Sequence, residues 1–203
     1  MRGKHGTFQP ESTSTGEFEA RWGIMVNNFT PPGYTVKHNE ERLSWDEYFM
    51  TIAYLVANRS KDVRTKIGTV LVKDNNIIST GYNNFPRKVL DLPERYENRE
   101  TKYKFVAHSE ANSITTAARL GISTLGSTCY TFGIPCDSCA KILIQGGVSD
   151  IVLHKNWPNM THSIWLESVK ISKIMFEEVG IKIRWLDKIL GVKGFVDGKI
   201  IEV

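Results

Sequence analysis

Apolar residues recur along this chain in rhythms that change from segment to segment. Trp45, Tyr48, Phe49, Ile52, Ala53 and Val56 fall at helical spacing. They follow Ser44-Trp45-Asp46-Glu47, which has the form of a capping box with Ser44 as N-cap and Glu47 at N3. A core-facing helix over about 45–58 is predicted. Ile67 to Val72 and Ile77 to Tyr82 are β-rich and flank the turn residues Lys73-Asp74-Asn75-Asn76, which predicts a hairpin. Residues 83–104 contain Pro86, Pro93 and many charges, and read as a long loop with a short helix around Glu94 to Lys102.

Strand and helix then alternate. A helix is expected from about His108 to Arg119, ended by Gly121, and a strand from Ser127 to Phe132. A second helix follows Pro135 and runs to Gln145, with Gly146-Gly147 as its stop. Asp150 to His154 reads as a strand, Thr161 to Val179 as a long helix ended by Gly180, and Ile181 to Leu186 as a strand. Asp197-Gly198 between Phe195-Val196 and Ile200-Ile201 marks a small hairpin. This order implies a sheet covered by helices on both faces, partly antiparallel at its start and parallel later. Right-handed crossovers would place the starts of the two middle helices at one end of the sheet. Residues near His108 and near Cys136 would then meet.

The domain expected from this pattern spans 44–188. Residues 1–43 lack its periodicity and carry the breaker Pro31-Pro32-Gly33, so they read as an arm or linker. Residues 189–203 read as a C-terminal extension. The 203 residues are 41% hydrophobic and 24% charged, a globular balance. A formal charge of +4 is too mild to imply a nucleic-acid surface and suits a small anionic ligand equally well. No apolar run approaches the roughly 20 residues needed to span a bilayer, so no membrane partner is expected. Met1 to Pro10 has no apolar core of a secretory signal. The cysteines are Cys129, Cys136 and Cys139, an odd count with a two-residue gap, which argues against a secreted disulfide framework and fits a reducing cytoplasm.

The chemistry concentrates in His108-Ser109-Glu110 and Pro135-Cys136-Asp137-Ser138-Cys139. This is the H-x-E…P-C-x-x-C pattern of zinc deaminases. Zinc takes four tetrahedral N and S donors, and cysteines at i and i+3 in a first helical turn face the same way. The positive end of the helix favours their thiolates. Pro135 suits a helix start. With His108 as third ligand, one position is left for water, the layout of a catalytic site. Glu110 is then placed to move protons rather than to bind metal. A structural zinc site would need a fourth protein ligand, and the one spare thiol, Cys129, lies in an expected strand. Cys129 reads as a small core residue. His5, His38, His154 and His162 read as surface or satisfied histidines.

Several blocks together resemble the deoxycytidylate deaminase family of the cytidine deaminase-like superfamily. They are Glu47-Tyr48-Phe49-Met50, Arg59-Ser60-Lys61-Asp62, Gly81-Tyr82-Asn83 with Pro86, His108-Ser109-Glu110-Ala111-Asn112, Pro135-Cys136-Asp137-Ser138-Cys139-Ala140-Lys141 and Ile144-Gln145-Gly146-Gly147-Val148. The resemblance covers roughly residues 45–185. It implies a three-layer α/β/α sandwich with a mixed sheet of about five strands. It implies deamination of dCMP to dUMP and ammonia, with zinc on His108, Cys136 and Cys139 and Glu110 as proton shuttle. The expected substrate-binding set is Asn83 for the sugar, Arg59 for the 5′-phosphate, and Ser109. One zinc per chain is expected, because no spare Cys/His cluster exists for a second. The resemblance further implies a homo-oligomer, commonly a hexamer, and dCTP and dTTP as effectors near Tyr82 and Asn84, with Mg²⁺ on the triphosphate. Ser109 stands where the family usually has Ala, and Asn84 where it usually has Gly. Competing readings are a deaminase of dCTP or 5-modified dCMP, a tRNA or other nucleic-acid deaminase, and a catalytically silent nucleotide sensor.

Overall fold

The computed structural model describes residues 42–158 and 163–203. All but the last two residues of the expected arm lie outside these ranges, as do His5, His38 and His162. The first helix, α1 (Trp45–Ala57), begins at the anticipated capping box: the Ser44 N–H donates to Glu47 Oε2 at 2.8 Å, and the Glu47 N–H donates to Ser44 Oγ at 3.3 Å. Its buried face overlaps the expected one, with Phe49 and Ala53 buried and Ile52 and Val56 packed against the core, but it is rotated away from Trp45 and Tyr48. Phe49, Met50, Ala53, Tyr54 and Ala57 are buried, whereas Trp45 and Tyr48 are exposed. The helix is apolar on most of its circumference, so spacing alone leaves its rotation open. Close approach to the sheet decides it. A Cβ on Gly68 would lie 2.0 Å from the Ala53 carbonyl oxygen and 2.7 Å from the Ala57 nitrogen, so only a face of small residues fits there.

The hairpin forms as β1 (Gly68–Lys73) and β2 (Asn76–Tyr82). The loop after it is more ordered than anticipated, with two short helices, α2 (Pro93–Glu97) and α3 (Arg99–Phe105). They break at Asn98, whose side chain caps α3 by accepting from the Thr101 N–H at 2.9 Å. Next come α4 (Ser109–Arg119), β3 (Thr128–Thr131), α5 (Asp137–Gln145), β4 (Asp150–His154), α6 (Ser163–Glu178) and β5 (Lys182–Leu186). The five strands form one mixed sheet in the order β2-β1-β3-β4-β5. β1 is antiparallel to both β2 and β3, and β3, β4 and β5 run parallel.

Strand residues alternate between two cores, which gives the three layers. Val70, Val72, Tyr130, Phe132 and Val152 face α1. Leu71, Cys129, Ile151 and Leu153 face the other way, onto Ala140 and Leu143 of α5 and Phe176 of α6, with Ile114 of α4 at the edge. A second close approach seats α4: a Cβ on Gly81 would lie 2.1 Å from the Ser109 carbonyl oxygen and 2.4 Å from the Ser113 nitrogen. The C-terminal hairpin, β6 (Lys193–Val196) and β7 (Lys199–Glu202), turns at Asp197-Gly198 as expected. It is no loose extension, since Val196 and Val203 are buried in the α1 core and Gly198 N–H donates to Arg64 O at 2.8 Å. No helix among the described residues is long and apolar enough to cross a membrane.

Candidate metal centre

His108 is the N-cap of α4 and Cys136 the N-cap of α5. Pro135 therefore sits one residue outside the helix rather than in its first turn, and Cys139 is the third helical residue. Ncap side chains ordinarily fold back to accept their own helix's free N–H groups. Neither His108 nor Cys136 does so. Both turn outward and meet, although 28 residues separate them in sequence.

His108 Nδ1 lies 3.4 Å from Cys136 Sγ and 3.5 Å from Cys139 Sγ. The three donor atoms are all within 4.8 Å of one another. Bonds of about 2.3 Å to sulfur and about 2.0 Å to nitrogen at tetrahedral angles would set N···S edges of about 3.5 Å. The donor set and its spacing thus fit zinc. Among the described residues this is the one cluster of three or more such donors, and Cys129 stands apart from it, fully buried in the sheet. Burial raises the Cys129 thiol well above its ordinary value, which makes it inert.

The electrostatics prepare the pair of sulfurs. A hydrogen bond from the Cys139 thiol, with His108 assisting, pulls Cys136 down against the effect of burial. Cys139 is raised because Cys136 holds its proton and burial adds to the effect. The neighbouring Cys136 sulfur raises His108. Metal binding would displace the proton that the two sulfurs share.

Glu110 is buried beside this cluster. The Ser109 hydroxyl donates to its Oε2 at 2.9 Å. Ser109 was expected at the substrate, but its side chain is completely buried and committed to Glu110. Asn83 and Asn84 reach the neighbourhood through a backbone bridge: Asn84 N–H donates to Ala107 O at 3.2 Å and Ala107 N–H to Asn84 O at 2.9 Å. Asn112 fixes the same junction by donating to Tyr82 O at 2.8 Å.

The Asn83 side chain is mostly occupied. Its Oδ1 accepts from Ile67 N–H at 2.8 Å, and its Nδ2 donates to Thr65 O at 2.8 Å and Asp62 Oδ2 at 3.3 Å. Asn84 Oδ1 lies 3.0 Å from the Tyr96 oxygen, whose proton goes to Asp91 Oδ1 at 2.7 Å. Arg59 is exposed just after α1.

Sequence reasoning missed three features. Lys102 is buried and pairs with Asp62 at 2.9 Å, in an ion pair that braces Asn83. Trp165 of α6 packs 5.7 Å from the His108 ring and meets Tyr103 of α3 edge-on at 5.9 Å, forming an aromatic wall. Thr69 and Thr131 line up behind Ser109. Only the last left a trace in the sequence, as threonines interrupting otherwise apolar strands.

Residues 43–155 match the family described as the cytidine and deoxycytidylate deaminase zinc-binding region. An uncharacterized deaminase from Aliivibrio fischeri is 34% identical over 142 residues, covering 70% of this chain and 93% of that one. Mouse deoxycytidylate deaminase is 32% identical over 154 residues, covering 73% and 83%. Human deoxycytidylate deaminase is 38% identical over 122 residues, covering 57% and 67%. A crystal structure of a dCMP deaminase from the cyanophage S-TIM5 shares the fold, with a TM-score of 0.52 at 22% identity over 70% of this chain and 96% of that one.

Proposed function

This chain belongs to the cytidine and deoxycytidylate deaminase family, and from that membership we propose that it is a zinc-dependent deaminase converting dCMP and water to dUMP and ammonia. The observation that carries the proposal is the meeting of His108, Cys136 and Cys139 beside the buried Glu110. Relatives named deoxycytidylate deaminase, at 32% and 38% identity, support the choice of substrate.

His108 Nδ1 and the sulfurs of Cys136 and Cys139 would hold one zinc per chain. Zinc held there supplies the Lewis acid that activates water near neutral pH. The positive ends of α4 and α5 both point at the site and favour the two thiolates. Glu110 moves the protons: its carboxylate takes one from water, sets it on ring N3, and delivers another to the departing amine. The C4–O bond forms as the first proton reaches N3; the C4–N bond breaks afterwards, as Glu110 carries the proton of the new C4 hydroxyl to the amine, leaving the C4 carbonyl and N3–H of dUMP. Asn83 Oδ1 keeps a second lone pair for the sugar hydroxyl, and Arg59 offers an exposed guanidinium to the 5′-phosphate.

We place the enzyme in the cytoplasm as a homo-oligomer. Its catalytic domain runs from residue 44 through 188, and the 189–203 hairpin packs upon it. Its effectors are dCTP and dTTP with Mg²⁺, acting at Tyr82 and Asn84. Because the Tyr96 oxygen already lies beside the Asn84 side chain, we expect a weak response.

Purified zinc-loaded protein given dCMP, dCTP, 5-methyl-dCMP, cytidine or a tRNA anticodon stem tests the proposal through ammonia release. Turnover highest with dCMP is expected. Turnover of the RNA alone would overturn the substrate, and zinc binding without any turnover would make the protein a nucleotide sensor. Repeating the dCMP assay with dCTP–Mg²⁺ or dTTP reads the effector response.

A further inference from the structure

Ser109 is the first helical residue of α4, and it is completely buried, as is Thr69 of β1. Their hydroxyls are in register with a third. Thr69 Oγ1 lies 2.8 Å from Ser109 Oγ and 3.2 Å from Thr131 Oγ1, and Ser109 Oγ lies 2.9 Å from Glu110 Oε2. A hydroxyl has one proton to give, and an ionised carboxylate can only accept. The chain therefore has one consistent direction. Ser109 donates to Glu110, Thr69 donates to Ser109, and Thr131 donates to Thr69.

From this geometry we infer that the Thr131–Thr69–Ser109 hydroxyl chain is a positioning device that fixes the rotamer of Glu110 for proton transfer. The inference rests on the deaminase reading of the site. Oε2 is occupied by the Ser109 hydroxyl. No described hydrogen bond engages Oε1, and among the described residues no buried side-chain oxygen lacks a partner, so Oε1 is the oxygen open to the substrate side. A glutamate without such a tether samples several rotamers. A charge-assisted hydrogen bond holds it to one.

The tether is itself anchored. Gly81 lets the Ser109 backbone sit directly on β2, where a Cβ would lie 2.1 Å from the Ser109 oxygen. Thr69 and Thr131 are fixed by the pairing of β1 with β3. Ser109 is a positioning residue here, acting through Glu110.

The test compares Ser109→Ala, Thr69→Val, Thr69→Ser and the double variant Ser109→Ala/Thr69→Val, all loaded with zinc. Ser109→Ala is expected to lower kcat about tenfold, the effect of one hydrogen bond to a charged group, with KM for dCMP within about twofold of wild type. Thr69→Val should lower kcat less, and Thr69→Ser should recover most of that loss. In the Ser109→Ala background Thr69→Val should add nothing, because the chain is already cut. Zinc content should stay at the wild-type level, and dUMP affinity by calorimetry should not change. Unchanged kcat in both single variants, strictly multiplicative losses, or a Thr69→Ser as slow as Thr69→Val would overturn the inference.

Crystal structures of the zinc-loaded variants decide the same point without any turnover. Glu110 should leave its wild-type rotamer in Ser109→Ala and Thr69→Val and keep it in Thr69→Ser. An unmoved carboxylate would overturn the hydroxyl chain, whereas a wild type that ignores dCMP would overturn only the substrate.

Discussion

On one face of the sheet Phe132 stacks on Tyr54 at 4.0 Å and Trp157 closes over both, while on the other Gly81, Thr69 and Thr131 meet the helix that carries His108 and Glu110. The first face is large, aromatic and mostly apolar. The second becomes small and polar toward the start of α4, and its side chains spend their hydrogen bonds on one another. Both faces seat a helix through a glycine, Gly68 under α1 and Gly81 under α4. The contrast shows how one sheet divides its work. Bulk on the α1 side supplies cohesion, which allows the α4 side to give up volume for precise placement of ionisable groups.

Substitutions on the two faces should therefore fail differently. Glu110→Gln is expected to lower kcat by roughly 10²–10⁴, the contribution of one general acid–base group, with zinc content and thermal midpoint retained. Phe132→Ala should do the reverse. It should cost about 3–5 kcal/mol in denaturant unfolding and leave kcat near wild type wherever the protein is folded. A Phe132→Ala enzyme that kept its stability but lost turnover would erase the distinction between the faces.

The glycine pair sharpens it. Gly68→Ala and Gly81→Ala create similar overlaps with helix backbone, and each should cost about 1–3 kcal/mol or more. Only Gly81→Ala displaces the start of α4, so only it should also reduce zinc affinity and kcat. The smallest effect concerns His154, buried on the α1 side with Nδ1 2.7 Å from Tyr54 Oη and Nε2 2.8 Å from Lys188 O. Burial lowers its pKa below the ordinary value of 6.5. The unfolded chain then takes up the proton first as pH falls. Stability from this group is complete above about pH 6.5 and declines below it until the folded form protonates too. The measurement is the unfolding free energy of wild type against His154→Gln between pH 7 and 5. Equal slopes would remove His154 from the explanation.

Much of this arrangement was legible in the sequence because it is written locally. The capping box at Ser44, the β-rich runs around residues 74 and 75, and the alternation after His108 each announce an element within a dozen residues. The metal cluster was legible for a different reason: two short motifs at helix starts, plus the handedness of crossovers, leave little choice about where they meet. The features that stayed hidden depend on contacts across the fold. The rotation of α1 is set by its fit against Gly68, not by its own spacing. Lys102 looked like one charge among many on a solvated loop until Asp62, 40 residues away, proved to be its partner. Asn83 has the donor and acceptor of a sugar ligand, and nothing local reveals that it also braces the Thr65–Ile67 backbone. The hydroxyls behind Glu110 come from β1, β3 and α4, and only the strand register brings them together.

The most direct test of the metal centre is a titration of metal-free protein with zinc while ammonia release from dCMP is followed. Activity should rise from nothing in proportion to added zinc and level off at one equivalent per chain in the wild type, and should stay absent in Cys139→Ser. Turnover by the metal-free protein, or a plateau reached only at two equivalents, would contradict a single catalytic zinc held by His108, Cys136 and Cys139.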